Sequence, residues 1–189
     1  MGIRSRIFFI VFVLLTISIA ITYVVAERDL NNTFKQQTLN ELEKKANLLV
    51  TSVGSLNRFD DINAADLFAN ELGNASNSRV TFIKNDGQVI GDSELDFDEI
   101  TIIDNHGNRS EVIDALNNGT GWSSRYSSTL NQELLYFAIQ DNENVYPNII
   151  RISVPITYID KITDTLGLSV LLLFLVVFIV SIIASGVSA

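Results

Sequence analysis

Two long runs of apolar residues, one near each end of the chain, constrain its fold more than any other feature. Ile7 to Ala26 contains twenty residues without a charge, a proline or a glycine, and Leu166 to Ser185 is a second uncharged run. An α-helix rises about 1.5 Å per residue, so such a run spans roughly 30 Å, the thickness of a bilayer core. The sequence therefore predicts two transmembrane helices, with a domain at residues 27–165 between them.

The charges next to these runs predict how the chain is oriented. Arg4 and Arg6 lie just before the first run, and basic residues beside a membrane helix stay in the cytoplasm. Residues 1–6 then form a cytoplasmic tip, the domain lies outside the cytoplasm, and residues 186–189 begin a further cytoplasmic part. The first run is longer than the core of a signal peptide, which favours an uncleaved anchor.

Charge and cysteine content exclude several classes of function. Between the two runs lie 11 basic and 22 acidic residues, a formal charge of −11. Such an acidic domain argues against binding to nucleic acid or to an anionic lipid surface. The chain has no cysteine, which excludes disulfides, cysteine metal sites and thiol catalysis. No phosphate-binding glycine loop, nucleophile elbow or metalloprotease motif is present, so we predict neither a cofactor nor an enzymatic activity.

The order of predicted elements indicates an α+β domain with one five-stranded antiparallel sheet and a long N-terminal helix. The predicted helices are Glu27–Val53, Asn63–Leu72 and Ser110–Asn117. The predicted strands are Arg79–Ile83, Gln88–Asp92, Trp122–Ser127, Glu133–Ile139 and Ile149–Ile156. The signals that separate them are the Asn85-Asp86-Gly87 turn and the helix stops Gly54, Gly73 and Gly119. Pro155 indicates either that the last strand is an edge strand or that it ends there; residues 93–108 are predicted to be irregular.

Apolar residues recur along the first helix of the domain at alternating spacings of 3 and 4. They are Leu39, Leu42, Ala46, Leu49 and Val53. Such a stripe either packs on the domain's own sheet or pairs with the same helix of a second copy. From it we predict a weak homodimer with this stripe as the dimer seam.

Several short stretches of the domain follow one another in a distinctive order and spacing. They are Arg79–Ile83, Asp86-Gly87, Asp92–Glu94, Asn105–Val112, Ala115-Leu116, Arg125–Ser127 and Leu134–Tyr136. Together they resemble the N-terminal sensor region of phosphate-regulon-type bacterial sensor histidine kinases. One departure is Ser110, where family members often have proline.

The resemblance implies a PAS-like, single-Cache type of domain in a multi-pass protein of the bacterial inner (plasma) membrane. It also implies a homodimer that relays an extracytoplasmic cue through paired membrane helices. Such kinases continue into a HAMP linker, a dimerisation segment and an ATP-binding domain, and none of these follows within the 189 residues. The sequence is thus a fragment, a truncated product or a stand-alone sensor, with a response regulator as partner only if a kinase part follows.

Six residues form the candidate ligand-binding set. They are Trp122, Arg125, Tyr126 and Tyr136 on two adjacent predicted strands, with His106 and Arg109 in and after the preceding loop. Strand alternation places Arg125 on the opposite face from Trp122 and Tyr126. In Cache-type domains the pocket lies between the sheet and the loops and short helix on one face, where an arginine would bind a carboxylate or phosphate.

Each of these candidates has a structural alternative. The aromatic residues can be core and Arg125 solvated, and Arg109 can pair with Glu111 or a neighbouring acid. His106, the one histidine, can hydrogen-bond the backbone of its loop, or it can sense pH or contact a ligand.

An acidic stretch before His106 offers hard oxygen ligands for a divalent cation. Its members are Asp92, Glu94, Asp96, Asp98, Glu99 and Asp104. The stretch lacks the spacing of a calcium-binding loop, so a solvated acidic loop is the preferred interpretation and no metal site is predicted.

Two functions from different classes remain. The first is the signal-input module of a sensor histidine kinase, which senses a small solute, an ion or an extracytoplasmic protein. The second is a membrane-anchored interaction or regulatory module without a kinase. An in-frame kinase sequence beyond codon 189 would distinguish the first from the second.

Overall fold

The computed structural model describes residues 3–54, 61–141, 148–156 and 167–180. The helices of the described chain are Ile3–Gly54 (α1), Ile62–Ser76 (α2), Phe97–Ile102 (α3) and Ser110–Asn118 (α4), with a further apolar helix at Gly167–Val180. The strands are Arg79–Ile83 (β1), Val89–Asp92 (β2), Thr120–Ser127 (β3), Gln132–Gln140 (β4) and Ile149–Pro155 (β5). Described residues within Met1–Lys35 and Thr157–Ala189 form one compact unit, and those within Gln36–Ile156 form another.

The first unit is apolar and helical. Within Phe9–Val53 an 18-residue window reaches a mean hydropathy of 2.7 with none of it buried, so by length and composition this helix is able to cross a membrane. The helix Gly167–Val180 is shorter than a span, and residues 166 and 181–185 of the predicted second transmembrane helix lie outside the described residues. The two apolar stretches touch where the rings of Phe12 and Phe178 lie 6.0 Å apart.

The second unit contains the sheet, whose strand order is β2-β1-β5-β4-β3 with every neighbouring pair antiparallel. The prediction of one five-stranded antiparallel sheet is confirmed. The edge-strand interpretation of Pro155 is wrong, because β5 lies in the centre of the sheet. Pro155 is the last residue of β5, opposite Leu134, as the strand-end interpretation predicts, and the N–H of Ile156 after it still donates to Glu133 O at 3.0 Å.

One face of the sheet packs against α1 and α2, and we call it the first face. Its core consists of strand residues such as Phe82, Phe137 and Ile152, together with the apolar residues of α1 and with Ala65 and Ala69 of α2. Hydrophobic burial on this scale is the main favourable term in the folding of a domain of this size.

The predicted dimer seam lies inside this core, so the homodimer along it is not what the structure shows. Its five residues, Leu39, Leu42, Ala46, Leu49 and Val53, are 0–7% exposed and belong to one cluster with the sheet. The other interpretation of the stripe, packing on the domain's own sheet, describes their position. A 3–4 repeat does not tell the two apart, because a sheet and a second helix both bury a stripe of this width.

The opposite face of the sheet, the second face, packs against α3 and α4. Its apolar part includes Ile83, Ala138 and Ile149, with Val112 and Ala115 of α4. The prediction of irregular structure at 93–108 missed α3, a helix of six residues that a capping box between Asp96 and Glu99 begins.

The predicted stop at Gly73 is wrong, because α2 continues to Ser76 and Asn77 supplies the left-handed cap. Glycine is required at position 73 for a reason other than ending the helix. A Cβ at that position would overlap the Cβ of Ser93, so glycine allows α2 to approach the segment after β2.

Candidate functional site

The second face carries a set of charged and polar side chains buried between the sheet and α4. We call this set the charge cluster. It consists of Arg79 and Thr81 of β1, Asp92 of β2, Glu111 of α4, Arg125 of β3 and Arg151 of β5. Five of the six side chains are buried and Arg125 is half-buried. Burial of this many charges requires that each finds a partner.

Glu111 binds one half of the cluster. Its Oε1 accepts hydrogen bonds from Arg125 Nη2 at 2.8 Å and from Arg151 Nη1 at 3.3 Å, and its Oε2 accepts one from Ser123 Oγ at 2.6 Å. Glycine at position 121 of β3 allows α4 to lie this close to the strand, since a Cβ there would overlap the backbone oxygen of Glu111. Burial raises the pKa of Glu111, but the Ser123 hydroxyl and the charges of Arg151 and Arg125 outweigh it, so the pKa is lowered.

Asp92 binds the other half. Its carboxylate accepts from Arg79 Nε at 2.8 and 3.0 Å and from Thr81 Oγ1 at 2.7 Å. Arg151 Nη2 donates to Thr81 Oγ1 at 3.2 Å and so joins the two halves. On the other side, Asp66 of α2 accepts from the Asp92 backbone at 3.2 Å, and burial raises the pKa of Asp66.

Tyr136 of β4 packs beneath two of the arginines. The Cζ atom of Arg125 lies 3.9 Å from the centroid of the Tyr136 ring, and that of Arg151 lies 5.0 Å from it. A ring face with this negative potential stabilises guanidinium groups, more so when they are withdrawn from water.

The cluster itself contains three arginines and two carboxylates, an excess of one positive charge inside an otherwise acidic domain. Burial lowers the pKa of Arg151 to about 10 while the Glu111 and Asp92 carboxylates oppose that shift, so the guanidinium remains charged at neutral pH. Within the described residues five buried atoms of this face have no hydrogen-bond partner. They are His106 Nδ1, Arg109 Nε, Arg125 Nε, Arg151 Nε and Ser153 Oγ. Buried polar atoms without a partner are rare in folded proteins, and a bound water or solute is one explanation for them.

His106 is buried next to this group of arginines. Its backbone N–H donates to Gly87 O at 2.8 Å, whereas the imidazole Nδ1 has no hydrogen-bond partner among the described residues. Burial first, and then the charges of Arg151, Arg109 and Arg125, lower the pKa of His106 to about 2. The imidazole is therefore neutral at physiological pH and does not sense pH in that range.

The His106→Gln variant is expected to lose less stability in mild acid than the wild type. Between pH 6.5 and about 2 the unfolded chain binds a proton at His106 and the folded chain does not, so stability falls as pH falls. The wild type should thus lose about 2 kcal/mol more than the variant between pH 7 and pH 5, at about 1.4 kcal/mol per pH unit below pH 6.5. Denaturant unfolding followed by Trp122 fluorescence measures this, and equal losses in the two proteins would contradict a buried neutral imidazole.

The structure divides the six predicted ligand-binding residues into two groups. Arg125, Tyr136 and His106 belong to the second face, with Arg109 half-buried at the N-cap of α4. Trp122 and Tyr126 pair with Phe137 and Glu133 on the first face, where they are 45% and 59% exposed, so they do not line a common site with Arg125. The predicted alternation along β3 is confirmed.

The salt-bridge partners of Arg109 and Arg125 differ from those predicted. The hydrogen bonds of Glu111 come from Arg125, Arg151 and Ser123, not from Arg109. Arg125 is half-buried and paired with Glu111, so the solvated alternative for it is wrong. Among the described acids of the stretch 92–104, Asp92 is buried in a salt bridge with Arg79, and no cluster of three or more potential metal ligands occurs in the described residues.

Of the charge cluster only Arg125 belongs to the predicted ligand-binding set, and Arg79, Arg151 and Ser153 are among the residues of this face that the prediction missed. A signal for Arg151 is visible, because a lone arginine interrupts the apolar run of the strand Ile149–Pro155. A charge at such a position must find a buried partner or a ligand.

Comparisons with known proteins identify the fold. The sensory domain of the Campylobacter jejuni chemoreceptor Tlp3 with isoleucine bound matches with a TM-score of 0.55 at 9% identity, over 80% of this chain and 64% of that one. The Tlp3 ligand-binding domain in complex with L-valine matches with a TM-score of 0.56, at the same identity and coverage. The chain has the fold of a bacterial sensory domain. It spans about two thirds of the length of these Tlp3 structures.

A sensor domain of the V. cholerae histidine kinase DctB also matches, with a TM-score of 0.47, 15% identity, and coverage of 74% of this chain and 53% of that one. No protein-family model and no curated protein sequence matches the chain.

Proposed function

We propose that this chain is a signal-input module anchored in the bacterial plasma membrane, which senses an extracytoplasmic cue and relays it through its membrane helices. The observation that carries the proposal is the continuity of α1. One helix, Ile3–Gly54, contains the apolar membrane-type stretch and also the residues from Leu39 to Val53 that form part of the core of the sensory fold. A change in the packing of that core therefore acts on residues of the same helix that leads to the membrane.

Several finer features belong to the same proposal. We assign the domain to the PAS-like, single-Cache type and the module to a sensor histidine kinase, which the resemblance of the sequence motifs supports. The assembly is a homodimer in a multi-pass arrangement with the loop domain outside, and its contacts are formed by surfaces other than the buried stripe of α1. A response regulator is a partner where a kinase part follows. We propose no catalytic step, cofactor or nucleic acid for this chain.

The cue in this proposal is a small solute that binds on the second face. Tlp3 was crystallised with isoleucine and with valine, and the likeness supports a solute-binding role of a comparable fold. The excess positive charge of the charge cluster and its unused buried donors supply the chemistry for a solute that carries an anionic group. Such a solute shifts the module between two states only by binding one of them more tightly.

A chimera tests the proposal. The chain is fused after Ala189 to the cytoplasmic half of a heterologous sensor kinase with a transcriptional reporter. Glu111→Gln, which weakens the charge cluster, is expected to change the basal reporter output. Thr33→Pro interrupts α1 before the domain, where a proline costs about 3 kcal/mol of helix stability, and is expected to abolish that change.

Thr33→Ala is the matched control, because it keeps the helix and should leave the response intact. Equal output from the wild type, Glu111→Gln and Thr33→Pro, with all three domains folded, would contradict the signal-input function. It would instead favour the second candidate, a membrane-anchored interaction module. The exposed aromatic side chains of Trp122 and Tyr126 on the edge strand β3 are the observation in favour of that candidate.

A further inference from the structure

A cleft of ≈ 460 Å³ opens on the second face at one end of the sheet. Its walls come from the C-terminal end of α2, the segment after β2 and the β3–β4 hairpin, and its base comes from the ends of β1, β4 and β5. None of the six predicted ligand-binding residues lines this cleft.

Two residues at the base of the cleft supply hydrogen-bond donors. Arg79 and Ser153 are register partners on β1 and β5, so their side chains lie side by side on the second face, and they are 5% and 2% exposed. The Ser153 hydroxyl is buried without a partner among the described residues. The Arg79 side chain bonds Asp92 through Nε, and within the described part of the chain its Nη groups make no hydrogen bond.

Asp92 fixes the direction of this arginine. A guanidinium carries five donors in a planar fork, so holding Nε on a carboxylate leaves the Nη pair oriented as a two-donor edge. That edge matches the two oxygens of a carboxylate, and the hydroxyl of Ser153 adds a third donor beside it.

The charges around the cleft determine how much negative charge a ligand can bring. Arg79 and Glu94 line the cleft, Asp92 neutralises Arg79, and Lys45 Nζ donates to Ser78 Oγ on the cleft wall at 3.0 Å. Arg79 and Lys45 are thus matched by Asp92 and Glu94, so the cleft has no net positive charge. The two-donor edge of Arg79 matches one carboxylate, which favours a ligand with a single carboxylate over a dianion. Leu134 and Pro155 add an apolar side to the cleft.

We propose that this cleft binds a small monocarboxylate, whose carboxylate accepts from the Arg79 Nη groups and Ser153 Oγ and whose short aliphatic tail packs against Leu134 and Pro155. That this solute is the sensed cue rests on the proposed function, whereas its binding does not. From Arg79 a continuous set of hydrogen bonds runs through Asp92, Thr81 and Arg151 to Glu111 on α4, so a bound carboxylate acts on the whole charge cluster.

Arg125 is the less suitable arginine for this role. Its Nη2 donates to Glu111 at 2.8 Å and one face of its guanidinium lies over the Tyr136 ring, so its Nη edge is already in use. Arg79 differs because its bond to Asp92 uses the Nε edge alone.

Calorimetric titration of the full chain in detergent with sodium butyrate tests the proposal. Butyrate is expected to bind the wild type. Ser153→Ala should weaken the affinity about three- to tenfold, which corresponds to one hydrogen bond, and Arg79→Lys about tenfold or more because an ammonium lacks the fork. Ser153→Ala removes a hydroxyl that has no partner, so its unfolding midpoint should match that of the wild type.

Two controls locate the ligand. Ser124→Ala on the first face should leave the butyrate affinity unchanged, and Arg125→Gln, in the charge cluster that hydrogen bonds connect to the cleft, should change it less than Arg79→Lys does. The proposal is overturned if butyrate does not bind, if phosphate or succinate binds more tightly, or if Arg125→Gln abolishes binding while Ser153→Ala and Arg79→Lys do not. Butyrate binding in a chimera whose output never responds would contradict the signal-input function and leave the cleft assignment standing.

Discussion

Replacement of Glu111 by alanine is expected to lower the free energy of unfolding of the domain by about 3–5 kcal/mol. Glu111 is fully buried, and it is the carboxylate that Arg125 and Arg151 share. Its removal leaves the guanidinium of Arg151, itself 1% exposed, in a buried position without this counter-charge, and breaking a buried pair from one side costs about this much. Denaturant unfolding followed by the single tryptophan measures the change.

Two variants separate this cause from the general effect of losing a glutamate. Glu133→Ala removes an exposed carboxylate from β4, and it should change stability by no more than about 0.5 kcal/mol. Arg125→Gln in the Glu111→Ala background removes part of the uncompensated charge, so the double variant should be less destabilised than the sum of the two single variants. Additive effects would show that the salt bridge does not couple these residues.

The stability difference between the wild type and Glu111→Ala depends on pH because the pKa of Glu111 is lowered in the folded state. A carboxylate with a lower pKa in the folded state contributes stability above its unfolded pKa, and that contribution disappears as pH falls through the folded value. The difference between the wild type and Glu111→Ala should therefore be constant at neutral pH and decrease only in acid. A difference that decreased already between pH 7 and pH 6 would contradict a lowered pKa.

The elements of the sheet could be predicted because their signals are local. Period-two alternation marks β3, a continuous apolar run marks β4, and Asn85-Asp86-Gly87 marks the turn between β1 and β2, where Gly87 has a φ of 85°. The central position of β5 was not predictable in this way. Pro155 is compatible with an edge strand or with a strand end, and only pairing with both β1 and β4 decides between them.

The site could be predicted only in part, because its contacts join distant parts of the chain. Arg125 and Tyr136 lie on two consecutive strands, so the hairpin predicted from the sequence already places them close together. Arg151 meets Thr81 across 70 positions and Glu111 across 40, so its partners depend on the strand order. Arg79 has a local partner in Asp92, 13 positions away, but the cleft beside it also requires the ends of β4, β5 and α2.

The Leu42→Ala variant is expected to lose about 2–5 kcal/mol of stability, independently of protein concentration. Leu42 is 1% exposed in the core between α1 and the sheet, and truncation there removes buried methyl groups and leaves a cavity. A seam between two copies would give a different result, because the stability of a dimer rises with concentration. Unfolding measured over a hundredfold range of concentration distinguishes the two.

Leu48→Ala is the matched control, since Leu48 lies on the same helix but is 68% exposed, and its truncation should change stability by less than about 0.5 kcal/mol. Single cysteines extend the comparison. A cysteine at Leu42 or Ala46 should form no cross-link between folded copies, because the sheet covers both positions. Efficient cross-links there, together with a concentration-dependent loss in Leu42→Ala, would show that the stripe of α1 leaves its own core to pair with a second copy.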